Sequence, residues 1–245
     1  MAQPNNNDKI SKEEVMGYLS KVEKKSLVLS IMNQYIFTKA VTENSCLTII
    51  NCHHALLPGH RGRNAYAWNI YTGDEAGITW HIVNDGVDTG RVIKSYPVEI
   101  KEDDTSLSLL YRENETVKKT LQELLPDFLR ENYPFEKPRI YQDYIHKKSD
   151  IPNQGLLDLS WHGEKISRFL RCMDFGPLRT FGRPYFIFEN KNYVVKRYKI
   201  LKDETATYAI SKINEEEFCI KRDGYIFSLT VILNPDVEND VVGKF

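Results

Sequence analysis

The first half of the chain alternates apolar runs with polar turns, in the pattern of an α/β layer. Residues 27–37 and 47–50 are mostly apolar and do not alternate cleanly, which favours buried strands of a parallel sheet over a hairpin. Further strands are predicted at residues 77–83 and 92–100, and a short helical segment at residues 65–71. The order of these elements predicts a layered α/β domain.

Two more helices are predicted from capping residues and apolar spacing. Ser11 is the expected N-cap of the first, because Glu14 follows at the spacing of a capping box. A long helix is predicted for residues 106–131, with an interruption near Asn114, where the apolar pattern breaks. Its apolar face comprises Leu107, Leu110, Val117, Leu121, Leu124 and Leu125.

The pattern changes after the proline-containing segment 133–138, where short alternating strands separated by turns begin. Asp223-Gly224 between two such strands is a strong signal for a tight hairpin. We therefore expect two domains, an α/β domain at residues 1–134 and a small β-rich domain at residues 137–245.

The charge and cysteine content narrow the class of protein. The chain has 33 lysines and arginines against 34 aspartates and glutamates, so it offers no general attraction for nucleic acid or an anionic membrane. Its four cysteines are scattered without a CxxC pair, as is typical of reduced thiols in cytoplasmic proteins. The sequence shows no signal-peptide pattern and no apolar run of membrane-spanning length. We expect a cytoplasmic protein with no nucleic-acid or membrane partner.

Polar side chains capable of chemistry follow two of the predicted strands. Asn51 and His53 come where strand 47–50 is expected to end, and Asp88 lies in the loop after strand 77–83. Strand ends in α/β sheets are where ligands and catalytic groups collect. Taken singly, each residue has a structural explanation, since Asn and Asp commonly satisfy loop backbone groups. A metal is not expected, because no thiol or carboxylate completes a zinc ligand set with the local histidines.

Five short motifs occur in order across this stretch. They are Asn51-Cys52-His53, Leu56-Leu57-Pro58, Arg61-Gly62, Gly77-Ile78-Thr79-Trp80-His81 and Asp85-Gly86-Val87-Asp88-Thr89-Gly90. Together they resemble the folate-dependent formyltransferases, most closely the amino-sugar N-formyltransferases and also the methionyl-tRNA formyltransferases. The chain departs from that family at His54-Ala55, where Pro-Ser is usual. Segment 158–174 resembles the entry to the family's C-terminal domain.

The resemblance implies a fold. We expect an α/β chain with a partial Rossmann-like formyltransferase core and a small β-rich C-terminal domain. Family members carry a further strand–helix–strand unit at the front, whereas only fifty residues precede Asn51 in this sequence. We therefore expect either a naturally shortened member or a sequence that lacks its first β-α-β unit.

The resemblance also implies a catalytic set. Formyl transfer to an amine passes through a tetrahedral oxyanion, so it needs a hydrogen-bond donor and a group that takes and returns a proton. Asn51 is expected to donate to the oxyanion. His53, two residues on along an extended segment, is expected to share that role when protonated. Asp88 is expected to orient His53 and to accept the amine proton.

Other histidines and arginines of the stretch have less specific interpretations. His81 is interpreted as a core histidine that braces the Asp88 loop. His54 and His60 are interpreted as solvent-facing loop histidines, with substrate contacts as the alternative. Arg61 and Arg63 are candidates to bind a phosphate of the acceptor through charge-assisted hydrogen bonds. Solvent-facing arginines at a helix start are an equally good interpretation, and both stay open.

The expected co-substrate is N10-formyltetrahydrofolate. By the resemblance, it lies between segment 32–37 and loop 84–88, where backbone groups of the family bind the pterin edge. The candidate binding residues are Asn33, Gln34, Tyr35, Ile36, Asn84 and Asp85.

Several acceptors fit an N-formyltransferase. A small-molecule amine is expected, with a nucleotide-linked amino sugar as the preferred candidate. Methionyl-tRNA would call for basic patches, which the near-neutral charge disfavours, and the glycinamide ribonucleotide branch is usually a single domain. Another amine stays open, as do a non-catalytic folate-binding remnant and a homodimeric arrangement.

Overall fold

The computed structural model describes residues 10–33, 35–137 and 144–234. The helices are α1 (Lys12–Leu19), α2 (Lys39–Thr42), α3 (Ala65–Thr72), α4 (Ser106–Leu129) and α5 (Gly163–Cys172). The strands are β1 (Ser26–Ile31), β2 (Leu47–His53), β3 (Arg61–Gly62), β4 (Ala76–Ile82), β5 (Val92–Val98), β6 (Ile145–His146), β7 (Tyr185–Phe188), β8 (Lys191–Lys202), β9 (Ala209–Lys212), β10 (Glu217–Arg222) and β11 (Tyr225–Asn234). Short 3₁₀ turns occur at Pro152–Gly155 and Gly176–Leu178.

A four-stranded sheet with the order β1-β2-β4-β5 organises the first half. β1 and β2 run parallel, from the pair Ser26–Leu47 to the pair Ile31–Cys52, as the sequence pattern predicts. β2 and β4 are antiparallel, so the sheet is mixed. The structure confirms the predicted α/β class and its β-rich second half.

Strand β2 is longer than the predicted segment 47–50. It continues to His53, so Asn51 and His53 lie within the strand and not after it. The physical reason is pairing on the β4 side, where Asn51 faces His81 and His53 faces Thr79. Strand pairing therefore fixes the backbone of both residues, which a terminal loop would not do.

Helix α4 runs without the interruption expected near Asn114. Asn114 does not break the helix, because its side-chain oxygen accepts a hydrogen bond from His54 Nε2 at 3.1 Å and so does not compete for the helix backbone. Further along the helix, Thr120 Oγ1 accepts a hydrogen bond from the buried Trp80 indole at 2.9 Å. Val117, Leu124 and Phe128 pack with Ile50, Ile78, Trp80 and Ile93 in one apolar cluster.

Helix α1 begins as the sequence predicts. Ser11 is its N-cap, with Ser11 Oγ accepting from the Glu14 amide and Glu14 Oε2 accepting from the Ser11 amide. Met16 and Leu19 are its buried residues. Among the residues that the structure describes, no helix combines the length and the apolar character needed to cross a membrane.

The second half contains a five-stranded antiparallel sheet with the order β7-β8-β11-β10-β9. Asp223 and Gly224 connect β10 to β11 with φ of 45° and 81°, the backbone of a two-residue hairpin turn. This confirms the hairpin predicted there. Helix α5 and this sheet share a core that includes Phe169, Phe186 and Phe227, all fully buried.

The chain divides into two compact units. The first comprises the described parts of Met1–Gly62, Gly77–Pro97 and Asn114–Ile145. The second comprises the described parts of Arg63–Ala76, Val98–Glu113 and His146–Phe245. The sequence-based domain limits at residues 134 and 137 stay a prediction.

Candidate active site

Three side chains singled out by the sequence lie together in the first compact unit. Asn51 and His53 are two residues apart on β2, so both project from the same face of the strand. His53 Nδ1 lies 3.5 Å from Asp88 Oδ2. The link from Asn51 to Asp88 is His81, whose Nε2 lies 3.0 Å from Asn51 Nδ2 and 3.5 Å from Asp88 Oδ1.

His53 has a defined tautomer. Its Nε2 lies 2.9 Å from the carbonyl oxygen of His60, and a carbonyl only accepts hydrogen bonds, so Nε2 carries the hydrogen. In the neutral ring Nδ1 then presents a lone pair towards Asp88. Burial lowers the pKa of His53 below its ordinary value, and the Asp88 charge only partly offsets this. The ring is therefore neutral at pH 7.

Asp88 is held as a carboxylate in an unusual backbone conformation. Its φ is 50°, in the left-handed region, which Asp tolerates better than most residues. Burial works to raise its pKa, but the neighbouring His53 and His81 and the Gly62 amide together lower the pKa well below its usual range. The Gly62 N–H donates to Oδ2 at 2.8 Å. The carboxylate is thus ionised at neutral pH.

His81 orients Asn51. Its Nδ1 lies 3.0 Å from the carbonyl oxygen of Ile82, so Nδ1 carries the hydrogen and Nε2 is placed to accept from Asn51 Nδ2. One amide hydrogen of Asn51 is used in this way. The second has no acceptor among the residues that the structure describes. His81 therefore does more than brace a loop, because it fixes the direction of the remaining donor.

Thr79 ties the chain after His53 to the sheet. Its hydroxyl donates to the Ala55 carbonyl at 2.7 Å and accepts from the Leu57 amide at 3.1 Å. Gly90 lets the chain after Asp88 pass close to β4, since a Cβ there would lie 1.6 Å from the Ile82 carbonyl oxygen. The Thr and Gly of the sequence motifs thus position the loops that carry the polar groups.

The expectation of solvent-facing His54 and His60 is wrong. His54 is only 8% exposed and His60 only 2%. The His60 ring stacks on Tyr144 with centroids 5.7 Å apart. Burial lowers the pKa of His54 to about 4, with the charge of His53 adding to the shift and the hydrogen bond to Asn114 opposing it. Packing by chain segments distant in sequence buries both rings, which the local Pro/Gly-rich loop does not indicate.

The candidate folate residues near β1 follow the C-terminal end of that strand. Asn33 Oδ1 accepts from the Tyr35 amide at 2.9 Å, and Asn33 Nδ2 donates to Ser30 Oγ at 3.2 Å. Ser30 pairs with Asn51 across β1 and β2. The segment therefore leaves the sheet at the edge where β2 ends, with Tyr35 and Ile36 exposed. Gln34 lies outside the described residues.

Asn84 and Asp85 are in the exposed loop after β4. Asn84 Oδ1 accepts from Thr89 Oγ1 at 2.8 Å and from the Gly86 amide at 3.2 Å. The Asn84 side chain thus shapes the turn that leads to Asp88. Asp85 is exposed beside it.

The two candidate arginines have different surroundings. Arg61 Nη1 donates to the Val87 carbonyl at 3.2 Å, which ties it to the loop that carries Asp88. Arg63 is half-buried and its amide donates to the His146 carbonyl at 2.9 Å. Arg61 therefore has a structural role beside the site, and a phosphate contact by either arginine stays a prediction.

Comparison with known proteins supports the resemblance to formyltransferases. The sequence profile described as formyl transferase matches residues 2–125, half of the chain. GDP-perosamine N-formyltransferase of Brucella melitensis is 29% identical over 144 residues, covering 56% of this chain and 54% of that protein. Methionyl-tRNA formyltransferase of Lactobacillus gasseri is 23% identical over 218 residues, covering 88% and 67%. The chain thus spans about half the length of the perosamine enzyme.

A solved structure shows the same fold. It is the N-formyltransferase of Helicobacter canadensis in complex with folinic acid and dTDP-3-aminofucose, with a TM-score of 0.72 and 18% identity. The match covers 91% of this chain and 78% of that one. With the family profile matching half of its length, this chain belongs to the formyl transferase family.

Proposed function

We propose that this chain is an N-formyltransferase that moves a formyl group from N10-formyltetrahydrofolate to the primary amine of a nucleotide-linked amino sugar. The observation that carries the proposal is the linked cluster of Asn51, His53, His81 and Asp88 on and beside β2. It combines a directed amide donor with an imidazole and an ionised carboxylate. These are the groups that acyl transfer to an amine requires.

In the first step the acceptor nitrogen bonds to the formyl carbon and the formyl oxygen becomes an oxyanion. Asn51 stabilises this charge through the amide hydrogen that His81 does not use. A neutral amide donor is suited to the task because it gains strength as charge develops on the oxygen, and His81 holds it in place beforehand. Both ring nitrogens of His53 face protein atoms, so in this arrangement the donor role rests on Asn51.

In the same step the amine must lose a proton. The Nδ1 lone pair of His53 faces the carboxylate of Asp88 at 3.5 Å. These two hydrogen-bond acceptors lie side by side, so together they can bind one proton. The proton passes from the amine to this pair, directly or through water. When the bond from the formyl carbon to N10 breaks, the pair returns the proton to the departing nitrogen. The pair thus ends the cycle as it began.

The choice of a folate donor is supported by family membership and by the solved relative that holds folinic acid. The segments expected to frame the pterin, which carry Asn33 and Asn84, are present in this chain and shaped by their own side-chain turns. The amino-sugar acceptor is supported by the named activity of the Brucella relative and by the dTDP-sugar in the solved one.

A methionyl-tRNA acceptor is the second candidate. It is favoured by the Lactobacillus protein, whose match covers 88% of this chain. The near-neutral charge of the whole sequence weighs against it. A non-catalytic remnant is disfavoured, because all four members of the polar cluster are in place.

The test is a mass-spectrometric screen of acceptors. The full chain is incubated with 10-formyltetrahydrofolate and a panel of dTDP-, GDP- and UDP-linked 3- and 4-amino sugars, with charged initiator tRNA as a further member. Gain of one formyl group by a nucleotide sugar, absent with Asp88→Asn, supports the proposal. Formylation of the tRNA alone would replace the acceptor, and no product in any sample would leave the remnant as the better account.

A further inference from the structure

A pocket in the second compact unit is not used by the proposed chemistry. Its volume is about 610 Å³, within the usual range for small-ligand sites. It lies beside strand β8 and the loop that follows the 3₁₀ turn Gly176–Leu178. The half-buried Tyr198 supplies aromatic surface, and four cationic side chains lie at the rim. The cations are Arg179, Arg183, Lys196 and Arg197.

Among the residues that the structure describes, these four cations have no neutralising partner. Within the described part of the chain, none of them has a carboxylate within ion-pair distance. The acidic residue in the pocket lining, Asp174, uses both carboxylate oxygens in hydrogen bonds to other groups. Its Oδ1 accepts from the Gly176 amide at 2.8 Å and its Oδ2 accepts from Tyr198 at 2.8 Å. The pocket therefore carries a local excess of positive charge in a chain whose net charge is −1.

Arg183 is held against β8 and lies near Arg179. Arg183 Nη1 donates to the Lys196 carbonyl at 3.0 Å, which fixes the guanidinium against β8. Burial, and then the charge of Arg179, lowers the pKa of Arg183. Arg179 itself has φ of 47°, a left-handed conformation that is unfavourable for this residue type. Arg179 and Arg183 are like charges on one loop, and their repulsion costs free energy that a bound anion would offset.

We propose that this pocket binds a diphosphate-bearing ligand of the nucleotide class. Three guanidinium groups and one ammonium group match the oxygens of neighbouring phosphates through charge-assisted hydrogen bonds. The half-buried ring of Tyr198 offers apolar surface for the organic part of such a molecule. Inorganic phosphate alone would leave that surface and part of the charge unused.

Binding is tested with the full-length chain by calorimetry at low and at physiological salt. The probes are inorganic diphosphate, a series of nucleoside diphosphates and the matching uncharged nucleosides. Arg179→Gln and Lys196→Gln each remove one charge from an exposed pocket residue and are expected to weaken binding about tenfold. The matched control is Lys199→Gln, which removes the same charge from an exposed residue of β8 outside the pocket lining. It should leave affinity unchanged.

The outcomes separate this inference from the proposed function, because binding is measured without formyl transfer. Nucleoside diphosphate binding that survives Asp88→Asn and weakens with Arg179→Gln supports the pocket. Equal loss with Lys199→Gln, or no binding of any diphosphate, would overturn it. Binding of an RNA oligonucleotide, with none of the small diphosphates, would also overturn it.

A second measurement identifies the source of the diphosphate once an acceptor is known. If the acceptor's own diphosphate occupies the pocket, Arg179→Gln raises the KM for the amino sugar. If a separate nucleotide binds there, that KM stays constant while the response of the rate to added nucleotide is lost.

Discussion

The burial of His54 predicts how the stability of the fold changes with pH, and this can be measured without a substrate. It replaces the usual Pro of the family motif and is buried against Asn114, with a pKa of about 4 against an ordinary value of 6.5. Between these two pH values the unfolded chain binds a proton that the folded chain does not. Stability is therefore complete above pH 6.5 and falls as the pH decreases towards 4, by about 1.4 kcal/mol per pH unit.

The difference from a non-titrating variant isolates this contribution. His54→Gln retains an amide donor for Asn114 but binds no proton. At pH 5 the wild-type chain should have lost about 2 kcal/mol through His54, and the variant none of it. Urea unfolding followed by tryptophan fluorescence at pH 7.5, 6 and 5 measures both, since Trp80 is buried in the same unit. The two stabilities should converge as the pH falls.

His54→Gln also removes ring packing, so it starts less stable at pH 7.5, and only the change with pH is diagnostic. Curves that stay parallel from pH 7.5 to 5 would refute the assignment of a buried, neutral His54. Asn114→Ala offers a check, because it removes the acceptor but keeps the imidazole and should preserve the pH dependence.

Three further predictions concern the site and the domains. Asp88→Asn and His53→Asn should each slow formyl transfer by about 10²- to 10⁴-fold with little change in folate affinity. Because the two residues act as a unit, the single-turnover rate of the double variant should be barely lower than that of the slower single variant. Losses that multiply in the double variant would contradict this coupling. His81→Ala should lower kcat with KM nearly constant, and His81→Gln should recover part of the rate by restoring an acceptor for Asn51. An equal fall of kcat in both variants would show that His81 has only a structural role. Limited proteolysis should cut near the proposed boundary at residues 134–137 before cutting elsewhere, and early cleavage spread through residues 158–200 would count against that boundary.

The site could be predicted from sequence where it depends on residue identity. Asn51, His53 and Asp88 stand in motif order, and the structure brings them together. The role of His81 was missed because it depends on β4 pairing in register with β2, which places His81 opposite Asn51. The Gly77–His81 motif shows that a histidine is present, but it does not show with which residue of β2 that histidine pairs.

Other features could not be read from local sequence because they arise from long-range packing. His54 looks like a loop residue, and only its contact with Asn114, sixty positions away, shows it buried. In the sequence, Asn114 is a polar residue in the middle of a helix, and this pattern predicts a break as readily as a buried hydrogen bond. The basic pocket has a similar origin, since β8 brings Lys196 beside Arg183 by a backbone contact.

The central claim is that this chain binds a formyl-folate for transfer by the cluster on β2. Calorimetric titration with 5-formyltetrahydrofolate tests it most directly, because that compound is stable and no acceptor need be known. We expect saturable binding at one site per chain, with an affinity that stays within a few-fold in Asp88→Asn. Absence of binding at millimolar concentration, in a chain that unfolds cooperatively, would contradict it.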